Sequence, residues 1–150
     1  RWGAWHPYPT TLATNNIVAL RASLRRIVAE GLEARFERYA RAARAVRRGL
    51  LRMGFEMFVD EASASPLVTA AKPVPGCRVS DLQHYLKDVR GIMIAGGLDE
   101  LAGKIFRVGH IGKAASREYI LDFLFSTEEC LRRQGLAIPV GVSLQGLAED

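Results

Sequence analysis

The sequence predicts an α+β domain of two layers, a small and mainly antiparallel sheet with helices packed on one face. Three observations carry that expectation. Apolar residues recur at three- and four-residue steps in stretches that begin at Ile17, Leu32, Leu82 and Ile120, the period of amphipathic helices. Four short runs, residues 55–60, 66–72, 92–95 and 105–110, have the composition and punctuation of strands. Their order is helix, helix, two strands, helix, two strands, helix, and no internal repeat is visible.

Each element has a local reason. Thr14 or Asn15 is placed to cap the first helix, whose stripe is Ile17, Leu20, Leu24 and Ile27. Gly31 falls at a phase slip, and the stripe resumes at Leu32, Phe36, Tyr39, Ala43, Val46 and Leu50 before Gly54. The pattern fits one long bent helix or two in close succession. The arginines at 35, 38, 41, 44, 48 and 52 mostly occupy the opposite side. "FEMFVD" and "PLVTAAK" read as strands around the polar turn "EASAS", and "KPVPG" as a stiff connector. Ser80 followed by Gln83 has the spacing of a capping box. It opens a helix through Leu82, Tyr85, Leu86 and Val89 that stops at Gly91. "IMIA" is a short strand, "GGLDELAG" a glycine-bounded loop and "IFRVGH" the last strand. Ser116 caps the final helix, with Ile120, Phe123, Leu124 and Leu131 on its apolar face and Gly135 at its end. Residues 14–134 therefore form the domain. Residues 1–13 are expected to be an extended segment, disordered or reaching a partner, and 135–150 a tail that packs back or wanders.

Composition narrows the class. The 150 residues, 49% hydrophobic and 25% charged, suit one soluble globular domain. No apolar stretch is long enough to cross a bilayer, and no signal peptide opens the chain. Cys77 and Cys130 are far apart with no C-x-x-C spacing or histidine pair, so neither a zinc site nor a disulfide framework is expected and a cytoplasmic setting is the default. The opening "RWGAWHPYPTT" reads as the interior of a longer protein. Charge is uneven: the net is +5, yet ten arginines and three glutamates lie between Arg21 and Arg52. Such a block raises a nucleic-acid footprint. Against it, no aromatic platform or helix-turn-helix spacing accompanies the arginines, and a solvated helix face with Glu30, Glu33 and Glu37 explains them.

One residue stands out. Arg107 interrupts the apolar run "IFRV". Strand alternation puts Phe106, Val108 and His110 on one face and Ile105, Arg107 and Gly109 on the other. Arg107 is then either a snorkelling arginine on an open sheet face or a planar fork of donors aimed at a carboxylate. The glycine turn after it fails as a phosphate loop: a P-loop needs glycine at the position of Arg107 and Ser or Thr at Ala114. His110 and His84 have no visible metal or acid–base partner, His6 sits in the opening segment, and no metal site is expected.

The run "GIMIAGGLDELAGKIFRVGHIGKAAS" has the form G-I-x-I-x-G-G-L…G-K-x-[FL]-R-[IV]-G…G. It resembles the C-terminal domain of class V pyridoxal-phosphate aminotransferases, in particular the alanine–glyoxylate and serine–pyruvate group, and the similarity runs back through "YPTTLATNNIVALRASL" to cover residues 8–133. The resemblance implies the small domain of a fold-type I, pyridoxal 5'-phosphate-dependent, homodimeric enzyme that moves an amino group between alanine or serine and glyoxylate or pyruvate. It implies that Arg107 binds the substrate α-carboxylate. It also implies that Tyr8 and Thr11 form the Tyr-x-x-Thr segment that reaches the partner subunit's cofactor phosphate, although Ala13 stands where the family often has proline. The family's Schiff-base lysine has no counterpart among Lys72, Lys87, Lys104 and Lys113. The chain is therefore expected to be a fragment, inactive alone, whose missing large domain carries most cofactor contacts. "PGCRVS" lacks the context of a desulfurase cysteine, so Cys77 reads as structural. The alternatives are a non-catalytic interaction domain and the nucleic-acid module already weighed.

Overall fold

The apolar periods become four helices and the short runs four strands, in the order α1 (Thr14–Glu30), α2 (Leu32–Arg52), β1 (Glu56–Met57), β2 (Val68–Lys72), α3 (Val79–Arg90), β3 (Ala95–Gly96), β4 (Phe106–Gly109) and α4 (Arg117–Arg133). The computed structural model describes residues 10–145 and 147. They divide into a unit that ends at Phe36 and a unit that begins at Glu37.

In the first unit, Gly31 decides between the bent helix and the pair. At φ +84° it leaves the helical region, and α1 stops one residue before it. Glu30 and Arg35 pair across the break at 2.7 Å. Helix α1 buries none of its residues, and its stripe of Ile17, Leu20 and Leu24 is exposed. The expected cap is corrected. Ala13 occupies the N-cap, and the Thr14 hydroxyl instead donates back to the Leu12 carbonyl at 3.3 Å.

In the second unit the strands lie in the order β1-β2-β4-β3, each neighbouring pair antiparallel. Alternation decides what each face holds. Thr69, Ala71, Phe106, Val108 and His110 are buried on the inner face, whereas Val68, Ala70, Arg107 and Gly109 are not. Helices α2, α3 and α4 supply Val46, Leu50, Leu82, Leu86, Leu124 and Leu131 to the same core as Phe106, whose ring meets Phe55 edge-on at 5.3 Å. Gly49 lets α2 approach α4: a Cβ there would come within 2.6 Å of both Leu124 methyl groups and 2.8 Å of the Ser143 carbonyl.

Two local readings are corrected. Pairing in the third strand begins only at Ala95, because Gly91 turns left-handed and the Ile92 amide returns to the Leu86 carbonyl. Residues 92–94 thus finish the helix end before the chain reaches β4. Helix α3 begins at Val79 with Arg78 at its N-cap and no capping box. Ser80 turns to the Asp81 carboxylate, and Gln83 donates to the Ile94 carbonyl at 3.3 Å. Ser116 holds the N-cap position of α4, but its side chain makes no capping hydrogen bond.

After Gly135 the tail returns to the domain. Leu136, Ile138, Val142, Leu144 and Leu147 pack against the core, and Glu128, wholly buried on α4, accepts from the Gly141 amide at 2.7 Å and from the Ser143 amide and hydroxyl at 3.1 and 2.7 Å. Burial alone would raise its carboxyl, but these donors, with Arg132 at 3.4 Å, hold it below the usual carboxylate range. No helix among the described residues is long and apolar enough to cross a membrane.

Candidate functional site

The candidate site is built on β4, whose register fixes the surroundings of Arg107. Ala70 on β2 stands opposite it on one side and Ala95 on β3 on the other. All three side chains point away from the helices, so the guanidinium rises between two methyl groups. Arg107 is half-buried, and its Nε donates to the Gly96 carbonyl at 2.9 Å. It makes no ion pair with a described residue. A guanidinium seated on a strand with no acid beside it among the described residues keeps its planar fork of donors, the geometry that matches a carboxylate.

The loop between β3 and β4 supports the platform from one end. A Cβ on Gly97 would lie 2.0 Å from the Leu101 carbonyl oxygen, so only glycine fits there, and the Gly97 amide closes the loop on the Ile105 carbonyl at 3.0 Å. The turn after β4 is tied to α2, where the Tyr39 hydroxyl accepts from the Gly112 amide at 3.3 Å and Arg38 donates to the Gly112 carbonyl at 2.9 Å. Cavities of about 490 and 420 Å³ lie elsewhere, between α2 and α4 and beside residues 91–94, and neither includes Arg107. Its surface is an open wall, not a closed pocket.

Directly behind the wall sits a buried polar cluster that the sequence reading did not assemble. His110 Nε2 lies 3.0 Å from the Thr69 hydroxyl and joins β4 to β2. Burial, with the nearby Arg47 charge adding to it, lowers the imidazole pKa to about 4, so the ring is neutral near pH 7. Arg47 is itself buried, its head reaching Glu61 at 2.6 Å and the Ser65 carbonyl at 3.4 Å. The helical period offered the signal: Arg47 follows Val46 on the inward side of α2, whereas the arginines at 35, 38, 41, 44, 48 and 52 fall around the rest of the helix.

The other candidate residues are placed as follows. Thr11 is described and exposed, while Tyr8 and His6 lie outside the described residues. His84 is exposed on α3. Cys77 and Cys130 are buried free thiols. Burial pushes both up to about 11, with Asp81 adding to it for Cys77 and Cys77 for Cys130, and a thiol so placed carries little thiolate at neutral pH. Among the described residues no group of three or more His, Cys, Asp or Glu is disposed to hold a metal.

The unit is an α+β domain whose sheet packs helices on one side and presents a strand arginine on the other. Comparison with known proteins identifies the domain. No family model matches the chain. An uncharacterized aminotransferase of Methanocaldococcus jannaschii is 38% identical over 130 residues, 87% of this chain and 34% of the relative. The (S)-ureidoglycine–glyoxylate transaminase of Bacillus subtilis is 36% identical over 135 residues, 90% of this chain and 32% of the relative. The crystal structure of that Bacillus enzyme superposes with a TM-score of 0.82 at 34% identity, covering 87% of this chain and 34% of its own. The pyridoxamine–pyruvate aminotransferase of Mesorhizobium loti superposes with a TM-score of 0.87 at 27% identity, covering 99% of this chain and 38% of its own. In sequence and fold the chain matches the C-terminal, small domain of class V pyridoxal-phosphate aminotransferases, as the glycine-and-arginine run implied. It spans about a third of the length of the curated relatives it matches.

Proposed function

We propose that this chain is the substrate-carboxylate-binding domain of a pyridoxal-phosphate-dependent aminotransferase that moves an amino group between alanine or serine and glyoxylate or pyruvate. The observation that carries the reading is Arg107, a cation held on the outward face of β4 between Ala70 and Ala95 with no acid partner among the described residues. Amino acids and 2-oxo acids share one group that does not change during transamination, the α-carboxylate. A fixed arginine binds both partners of the exchange in the same pose, which leaves the α-carbon at a constant place.

The cofactor, when bound, supplies the electron sink for chemistry at that carbon. The fit of this chain to it is partial. The exposed Thr11, with Tyr8, is proposed to contact the cofactor phosphate of a partner subunit in a cytoplasmic homodimer. No described lysine suits proton transfer: Lys72 pairs with Glu56, and Lys87, Lys104 and Lys113 are exposed. That lysine belongs to the part of the relatives this chain does not span, and the 150 residues alone do not transaminate. Arg107 orients the substrate; its open wall is completed by the other domain.

Arg107→Lys in the full-length enzyme tests this. Lysine keeps the charge but loses the planar fork. The KM for both the amino and the oxo acid is expected to rise about a hundredfold, roughly 3 kcal/mol of carboxylate binding, with protein stability unchanged. An unaltered KM for both substrates sinks the assignment.

A further inference from the structure

We infer that Arg107 takes its carboxylate end-on, through Nη1 and Nη2 only, and that Gln83 is a positioning residue that holds this orientation from the opposite face of the sheet. The inference rests on the carboxylate reading above and names how the same site is set.

The argument starts from a donor that is already engaged. A guanidinium can present a carboxylate with two edges, one formed by Nε and a terminal nitrogen, the other by the two terminal nitrogens. In Arg107 the Nε is bonded to the Gly96 carbonyl at 2.9 Å. The side edge is closed, and the end edge remains, pointing away from the strand. The acid must then lie beyond the tip of the side chain, which selects small monocarboxylates that can place an α-carbon past that point.

The orientation is only as firm as Gly96. Strand β3 has two residues, Ala95 and Gly96, and pairs with β4 alone, so its far edge has no strand to steady it. What steadies it comes from below. The Gln83 side-chain amide donates to the Ile94 carbonyl at 3.3 Å. The same amide lies against Gly96: a Cβ built on that glycine would be 3.5 Å from Gln83 Nε2 and 3.7 Å from Oε1. Register agrees, because Gly96 opposes Phe106, the inward residue, while Ala95 opposes Arg107, the outward one. One side chain of α3 therefore grips the chain at Ile94 from the inner side, and the Gly96 carbonyl, two residues on, holds Arg107.

Two readouts test this. In the 150-residue chain labelled at arginine nitrogen, the Arg107 Nε–H, assigned by its loss in Arg107→Lys, is expected to exchange with solvent about tenfold more slowly than that of the exposed Arg25. Gln83→Met keeps the length of the side chain and removes the donor; it is expected to abolish most of that protection. Gln83→Lys supplies a donor again and is expected to restore it. In the full-length enzyme, Gln83→Met is expected to raise KM for both carboxylate substrates about fivefold with kcat within about twofold, and Gln83→Lys to recover most of the loss. If Gln83→Met leaves Nε–H exchange and KM unmoved while Arg107→Lys still raises KM, the positioning role is overturned and the carboxylate reading stands. A lower thermal midpoint without a change in KM makes Gln83 merely structural and overturns it as well. If Arg107→Lys itself leaves KM unmoved, the reading beneath falls and takes this inference with it.

Discussion

The two faces of β4 carry neighbouring residues to opposite ends of protein chemistry. Phe106 and His110 on the inner face are wholly buried, and their interactions are all internal. Arg107 and Gly109 on the outer face keep contact with solvent, and among the described residues Arg107 makes one hydrogen bond, from Nε to the Gly96 carbonyl. One four-residue strand thus separates buried from solvent-facing side chains by nothing more than its alternation. The sharpest way to break that division is to truncate both faces in turn. Phe106→Ala removes a ring packed against Phe55 in the middle of the core and is expected to cost about 3–5 kcal/mol in urea unfolding. Arg107→Ala is expected to cost less than about 1 kcal/mol, as for a surface position, while on the proposed function it removes carboxylate recognition. Equal losses at the two positions show that Arg107 serves the fold and refute the division.

The inner face also carries the pH dependence. In the unfolded chain a histidine titrates near 6.5, whereas folded His110 is lowered to about 4. Between those values the unfolded state binds a proton that the native state excludes, so stability falls as pH falls through the window, by on the order of 3 kcal/mol at its lower end. Glu128, held below the ordinary carboxylate range, adds a further loss at lower pH, below about 4.5. His110→Leu is expected to flatten the limb between pH 6.5 and 4. At pH 7 it costs about 1 kcal/mol because the buried Thr69 hydroxyl loses its partner. Unfolding midpoints at pH 7 and 4.5 decide it: a variant whose acid loss equals that of the parent chain rules out His110 as the source.

How much of this was legible in the sequence follows from the range of the forces involved. Periodicity marked the helical stretches, because burial of one face writes a period into the residues themselves. It left one bent helix or two open before Gly54, and strand-like composition placed the third strand at 92–95, where pairing begins only at Ala95. Strand alternation put Arg107 on the face opposite Phe106, which the burial of the strand repeats residue by residue. Hydrogen-bond partners were less legible. Ser80 and Gln83 have the spacing of a capping box, yet Gln83 faces the sheet and finds the Ile94 carbonyl, a partner eleven residues away that no local rule supplies. Glu128 looks like one more surface acid on a polar helix turn; only the returning tail, with the Gly141 and Ser143 amides, makes it a buried anchor. Arg47 was hidden by the nine other arginines of its segment. The outward placement of Arg107 is a property of one strand and could be read. The surroundings of Arg107 depend on register, and register is set by the partner strands.

The outer face offers a last and smaller test of the same division. Lys72 on β2 and Glu56 on β1 oppose each other in register and form an ion pair at the edge of the open wall, both of them exposed. If the outer face contributes little to stability, this pair must be weak however close its atoms stand, because water screens it and two long side chains must be ordered to make it. Lys72→Met is expected to change unfolding free energy by about 0.2–1 kcal/mol, with the smaller values at high salt. A double-mutant cycle with Glu56→Gln isolates the coupling. A salt-insensitive coupling well above about 1 kcal/mol implies that this edge is shielded from water by something laid across it. The outer face would then have a stabilising role of its own beside the arginine that it displays.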